Sequence, residues 1–62
     1  MKKRDLEKKL TKLGWWLARQ GGAHEIWTNG TITNQLPRHK EINELLAKSI
    51  IKVAESHPAK GI

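Results

Sequence analysis

Gly14, the Gly21-Gly22 pair, Asn29-Gly30 and Pro37 punctuate the middle of this chain so closely that no helix of ordinary length fits between them. What lies between reads as strand. Trp15 to Gln20 is short, aromatic and bounded by glycine at both ends; His24 to Thr28 follows the glycine pair, and Thr31 to Leu36 follows the Asn-Gly turn. Pro37 ends the third strand because it has no N–H to give to a ladder. Register across Asn29-Gly30 has two solutions. A two-residue loop pairs Trp27 with Ile32. A three-residue loop with Gly30 in a bulge pairs Ile26 with Ile32, which places His24, Ile26, Ile32 and Leu36 on one face and turns Trp27 outward. The second is the expectation, because it groups the aliphatic side chains; one residue of slip exchanges the faces.

Helices flank the strands. Leu6, Leu10 and Leu13 fall at i, i+4 and i+7, the stripe of a helix from about Lys3 to Leu13, and Gly14 is suited to its C-cap. From about Asn43 to Ser56, Ile42, Leu46, Ile50 and Val53 form a second stripe, widened by Leu45 and Ala54. Pro58 stops that helix, and Ala59 to Ile62 reads as a loose tail. Neither helix can bury its stripe alone. The expected fold is therefore α+β, an α-β-β-β-α order with a three-stranded antiparallel sheet and both helices on one face. One domain, 1–62, is expected, with an ordered core over about 3–57.

A chain of 62 residues buries only roughly 60% of the surface its unfolded form exposes. Small domains commonly compensate with disulfides, metals or a partner chain. With no cysteine, this sequence has no disulfide, thiolate metal site or cysteine nucleophile. His24, His39 and His57 lack the tight spacing of helical metal motifs. No cofactor is expected, and a partner chain is the most plausible external stabiliser.

Charge narrows the partners. Net charge is +6, and six of the twelve basic residues lie in the first twelve positions, opposed only by Asp5 and Glu7. That balance points first to nucleic acid, then to an anionic membrane or an acidic protein. Asp5 and Glu7 also interrupt what would otherwise resemble the start of a signal peptide, and the longest apolar run, Trp15 to Ala18, is far too short for a bilayer. A cytoplasmic location without membrane contact is expected.

Glycine-rich phosphate loops, a nucleophile elbow and paired carboxylates are all missing from the sequence. His24 stands out instead. It follows a Gly-Gly-Ala turn at the mouth of a strand, where a ligand can approach the backbone. RNA carries its own nucleophile, the 2′-hydroxyl, so its cleavage needs a proton carrier and positive charge around the phosphate. An imidazole beside Arg and Lys supplies both. Pro37-Arg38-His39 lies between the third strand and the second helix, a connection able to approach the glycine turn; Arg38 suits a bidentate phosphate contact. Trp15 suits the core beneath the first helix, and Trp16 or Trp27 the open face, where an indole stacks on a base.

Arg19-Gln20-Gly21-Gly22-Ala23-His24-Glu25-Ile26-Trp27 and Leu36-Pro37-Arg38-His39, placed between a lysine-rich helix and an Ala-Lys-Ser-Ile-Ile-Lys helix, resemble the HicA family of small toxins from toxin–antitoxin pairs. The resemblance runs from about Arg4 to Ala54. It implies a fold like the double-stranded-RNA-binding domain, metal-independent endoribonuclease cleavage of mRNA, and inhibition by a HicB-like antitoxin, with operator DNA reached only through the antitoxin complex. It places the essential histidine at His24. Ala23 stands where many members carry Ser, Thr or Asn, and Glu25 where some carry a second histidine. On this reading His24 is the general acid or base, while Gly21, Gly22, Arg19, Arg38, His39, Lys8, Lys9 and Lys12 hold RNA. The rival is a non-catalytic RNA- or DNA-binding module using the same basic helix and open sheet.

Overall fold

The computed structural model describes residues 1–59. Its elements are α1 (Lys3–Lys12), β1 (Trp16–Gly21), β2 (His24–Thr28), β3 (Thr33–Pro37) and α2 (Glu44–Ser56). The strands form one antiparallel sheet in the order β1-β2-β3. Leu6 and Leu10 of α1 and Ala47, Ile50 and Ala54 of α2 share one core with Trp15, Trp27, Leu36 and Ile42. Both helices thus lie against one face of the sheet, as the sequence leads one to expect. No helix among the described residues is long and apolar enough to cross a membrane.

α1 ends where its sequence says it should. Leu13 caps it, and Gly14 follows at φ 87°, a left-handed conformation that costs glycine little. The chain then turns Trp15 into the core, where its indole N–H donates to the His57 carbonyl at 3.0 Å. Ala59 is buried too, and its N–H donates to the Leu13 carbonyl at 3.2 Å. The tail expected from Ala59 is therefore docked at its first residue; residues 60–62 lie outside the described residues.

Two expectations about faces are corrected. The β2–β3 register pairs Ile26 with Gln35 and Trp27 with Asn34, so Trp27 turns into the core and His24 and Ile26 onto the open face. The cause is Asn29. Its side-chain oxygen accepts from the N–H groups of Thr31 (2.8 Å) and Ile32 (2.9 Å), while Thr28 Oγ1 accepts from the Gly30 N–H and donates to the Ile32 carbonyl. These local bonds hold residues 29–32 as a four-residue loop and delay β3 to Thr33. Ile32 accordingly packs at the margin of the core from the loop, not from a strand.

The second correction concerns α2. Asn43 caps it, accepting from the N–H groups of Leu45 and Leu46, but the buried stripe is Ala47, Ile50 and Ala54 with Ile51 half-buried. Leu45 is 78% exposed, Leu46 41% and Val53 37%. Two alanines on the inner face let α2 approach closely, and the larger aliphatics are rotated toward solvent.

A polar link adds to the apolar packing of α1 on the sheet. The Lys3 ammonium donates to Glu25 at 2.8 Å and to Glu7 at 2.6 Å, and the Trp27 indole N–H donates to the same Glu25 oxygen at 3.1 Å. Burial pushes the Glu25 carboxyl up, but the hydrogen bonds from Lys3 and Trp27, with the charges of Lys3 and Arg38, outweigh it and leave the pKa below its ordinary 4.5. Burial likewise depresses Lys3, and its two carboxylate partners more than reverse this, holding it above 10.5.

A depressed carboxyl contributes stability that is present above its unfolded pKa and lost as pH falls through the folded one; a raised ammonium loses its contribution as pH rises through its folded value. The contribution of this network should be flat between these limits, falling below about pH 4.5 and above about pH 10.5. Glu25→Ala should cost about 2 kcal/mol, because it strands the Trp27 N–H and half of the Lys3 pairing. On a domain this size that is a fall of roughly 8–16 °C in Tm. Glu25→Gln keeps an acceptor and should cost less while flattening the acid limb. Parallel acid losses in parent and Glu25→Gln, followed by thermal melts at a series of pH values, would disprove the network's role.

Candidate functional site

The β1–β2 turn places the first candidate. Gly22 sits at φ +30°, where any side chain would be strained by the backbone although the space around it is open. His24 follows as the first residue of β2, exposed and paired with Pro37. Because β2 alternates, His24 and Ile26 face away from the helices while Glu25 and Trp27 face them. The register thus delivers His24 to the open side of the sheet.

Arg38 secures the turn. Its backbone N–H donates to the Ala23 carbonyl at 3.3 Å, and its guanidinium donates to the Gly22 carbonyl at 3.1 Å. The Pro37-Arg38-His39 connection therefore meets the Gly21-Gly22 turn, and Arg38 is the link. In the chain Arg38 follows Pro37, the register partner of His24, and its guanidinium has further N–H groups left to donate.

Two clefts open on either side of this junction. One, of about 440 Å³, runs from His24 over the β3 edge to α2 and is lined by Thr33, Gln35, Pro37, Leu46, Ser49 and Ile50, with Asn34. It mixes an apolar wall with hydroxyl and amide groups, a surface suited to a base beside a phosphate. The other, of about 570 Å³, lies between the start of α1 and the β3–α2 connection; Lys2, Lys3, Arg4, Arg38 and Lys40 line it, with Glu7 and Glu41.

The remaining candidates are more scattered. Arg19 is exposed on β1 opposite Ile26, and a bulge between Leu17 and Arg19 puts it on the same open face as Trp16, which is 48% exposed. Gly21 pairs with His24 at the turn. His39 is exposed but lines neither cleft. Lys8, Lys9 and Lys12 are exposed along α1 and line neither cleft. Lys12 stands roughly 13 Å along the helix axis from Lys3. Sequence reasoning passed over Lys2, Arg4 and Lys40 as site residues. The signal was a backbone one: Lys2 bridges Glu41, and the Lys3 N–H donates to the Lys40 carbonyl at 2.8 Å, so two basic segments far apart in sequence run side by side.

Removal of the Arg38 side chain should leave the fold intact but release the turn. Arg38→Ala should keep Tm within a few degrees of the parent while amide exchange across Gly22, Ala23 and His24 accelerates. Unchanged protection at those amides would show that the guanidinium contact does not hold the turn.

The family model described as "HicA toxin of bacterial toxin-antitoxin" matches residues 4–55. No curated protein and no solved structure matches the chain. The family match spans well over half of the sequence, and the chain belongs to the HicA toxin family.

Proposed function

We propose that the chain is the toxin of a toxin–antitoxin pair and acts as a metal-independent endoribonuclease on cytoplasmic mRNA, with His24 as its general acid or base. The observation that carries this reading is an exposed His24 on the rim of a cleft, beside a turn that Arg38 holds. Family membership supports the toxin role.

The chemistry needs little more. Attack of the ribose 2′-oxygen forms an O2′–P bond and breaks the P–O5′ bond, leaving a cyclic phosphate and a 5′-hydroxyl. His24 takes the 2′-hydroxyl proton or gives one to the departing O5′, and water serves at the other position. Arg38, still tied to the Gly22 carbonyl, neutralises the phosphate as charge builds on it. Arg19 and His39 contact the strand on either side, and the Gly21-Gly22 turn leaves room for its backbone. Lys8, Lys9 and Lys12 form an outer basic face.

His24→Ala should lower cleavage of an mRNA transcript by about 10²–10⁴-fold and relieve growth arrest, with the melting curve unchanged because His24 is exposed. Parent activity should persist in excess EDTA. Cleavage at the parent rate by His24→Ala overturns the assignment and favours the non-catalytic nucleic-acid module.

A HicB-like antitoxin is proposed to occlude the same cleft. An acidic partner suits the +6 charge, and a ligand that binds only the folded state raises stability by mass action. Addition of the antitoxin should raise Tm and displace RNA from the His24→Ala protein. A tight complex in which cleavage continues undiminished would refute occlusion.

A further inference from the structure

We propose that the basic cleft at the start of α1 is a second phosphate site, which holds the backbone of the same RNA strand beyond the scissile phosphate and so sets the direction in which RNA crosses the protein. The proposal rests on the RNA-cleaving reading of His24 for the identity of the ligand, though not for the existence of the site.

The balance of charge inside the cleft supports it. Of its five cations, Lys3 is committed to Glu7 and Glu25 at 2.6 and 2.8 Å. That pairing also removes Glu7 from the opposing charge. Glu41, 70% exposed, stands 3.8 Å from the Met1 amino group. Among the described residues, Lys2, Arg4 and Lys40 enter no hydrogen bond or ion pair through their side chains, and Arg38 bonds only the Gly22 carbonyl. Four cations therefore line one cleft without a salt bridge of their own, and of the two carboxylates that share its lining Glu7 is held by Lys3, leaving the cleft with a clear excess of positive charge. Like charges gathered this way repel, and a phosphodiester is the ligand that relieves the repulsion.

Position favours RNA over an acidic polypeptide. Arg38 lines this cleft and also holds the turn that precedes His24, so on this proposal a strand leaving the His24 turn passes Arg38 to reach the basic cleft. The backbone is built for the purpose. Lys2 bridges Glu41, and the Lys3 N–H donates to the Lys40 carbonyl, which fixes the α1 start against the β3–α2 connection. Lys8, Lys9 and Lys12 share none of this scaffolding.

The test compares two triple variants that remove the same charge. In the His24→Ala protein, binding of a fluorescein-labelled single-stranded RNA of mixed sequence is followed by anisotropy across a salt series. Lys2→Ala/Arg4→Ala/Lys40→Ala should weaken binding at least tenfold and flatten the plot of log K against log salt by roughly 0.7 for each phosphate that is no longer neutralised. Lys8→Ala/Lys9→Ala/Lys12→Ala should change the slope by less than about 0.7, the value for a single phosphate. Circular dichroism checks folding, and Arg4→Glu alone, which leaves the backbone bridge untouched, should reproduce the direction of the first triple.

Equal flattening by both triples would mean a diffuse field and no site, and would overturn the proposal. So would unchanged RNA binding by the first triple, including the case where it loses binding to polyglutamate instead, which would assign the cleft to an acidic protein. Because binding is read without cleavage, flattening confined to the first triple upholds the cleft even if the parent proves unable to cut RNA. In that case only the catalytic reading of His24 fails.

Discussion

The ion pair of Lys3 with Glu25 fixes where the N-terminal helix, packed through Leu6 and Leu10, sits on the sheet in a domain whose apolar core is thin. The Glu25 oxygen that accepts from the Lys3 ammonium at 2.8 Å also accepts from the Trp27 indole N–H at 3.1 Å. Both elements are thereby pinned at one point. A buried ion pair is a poor source of net stability, since desolvation opposes it, but a directional one fixes register in a way that Leu6 and Leu10 alone do not. The central strand needs that. A slip of one residue in β2 would send His24 into the core and Trp27 into solvent.

The same alternation explains why the glycine-histidine motif reads as one unit although its residues have two kinds of task. In Gly21-Gly22-Ala23-His24-Glu25-Ile26-Trp27, the odd-numbered Glu25 and Trp27 face the helices and bond each other, and the even-numbered His24 and Ile26 face outward. Half of the motif therefore builds the scaffold that positions the other half. Glu25, which stands where some members of the family carry a second histidine, has its carboxylate occupied by Lys3 and Trp27. It faces away from the open side of the sheet, so the side chain at this position supports the fold.

Element order, the end of α1 and the strand that carries His24 were legible in the sequence because each depends on local chemistry: Gly14 after a leucine stripe, glycines around an aromatic run. Register was not legible, because the aliphatic pattern of Ile26, Ile32 and Leu36 favoured one pairing and the Asn29 side chain enforced another. The face of α2 was misread for a related reason. Pattern reading weighs side-chain size, whereas close packing against α1 and the sheet selected Ala47 and Ala54. The turn-holding contact of Arg38 was legible only as a neighbourhood, since a loop can approach a turn in many ways.

The largest departure is in how the positive charge is distributed among tasks. Sequence composition credits every lysine of the N-terminal segment equally, but tertiary structure sorts them into three groups. Lys3 is consumed in holding the fold. Lys8, Lys9 and Lys12 lie on an exposed face of α1 and line neither cleft. Lys2 and Arg4 are joined by Arg38 and Lys40 across a cleft, where low-dielectric walls concentrate the field between them. The third group exists only because the chain from Lys40 to Ile42 runs back along Met1 to Lys3. Arg38 belongs to that group and to the turn beside His24 at once. The side chain that holds the turn before the imidazole is thus also one wall of the basic cleft.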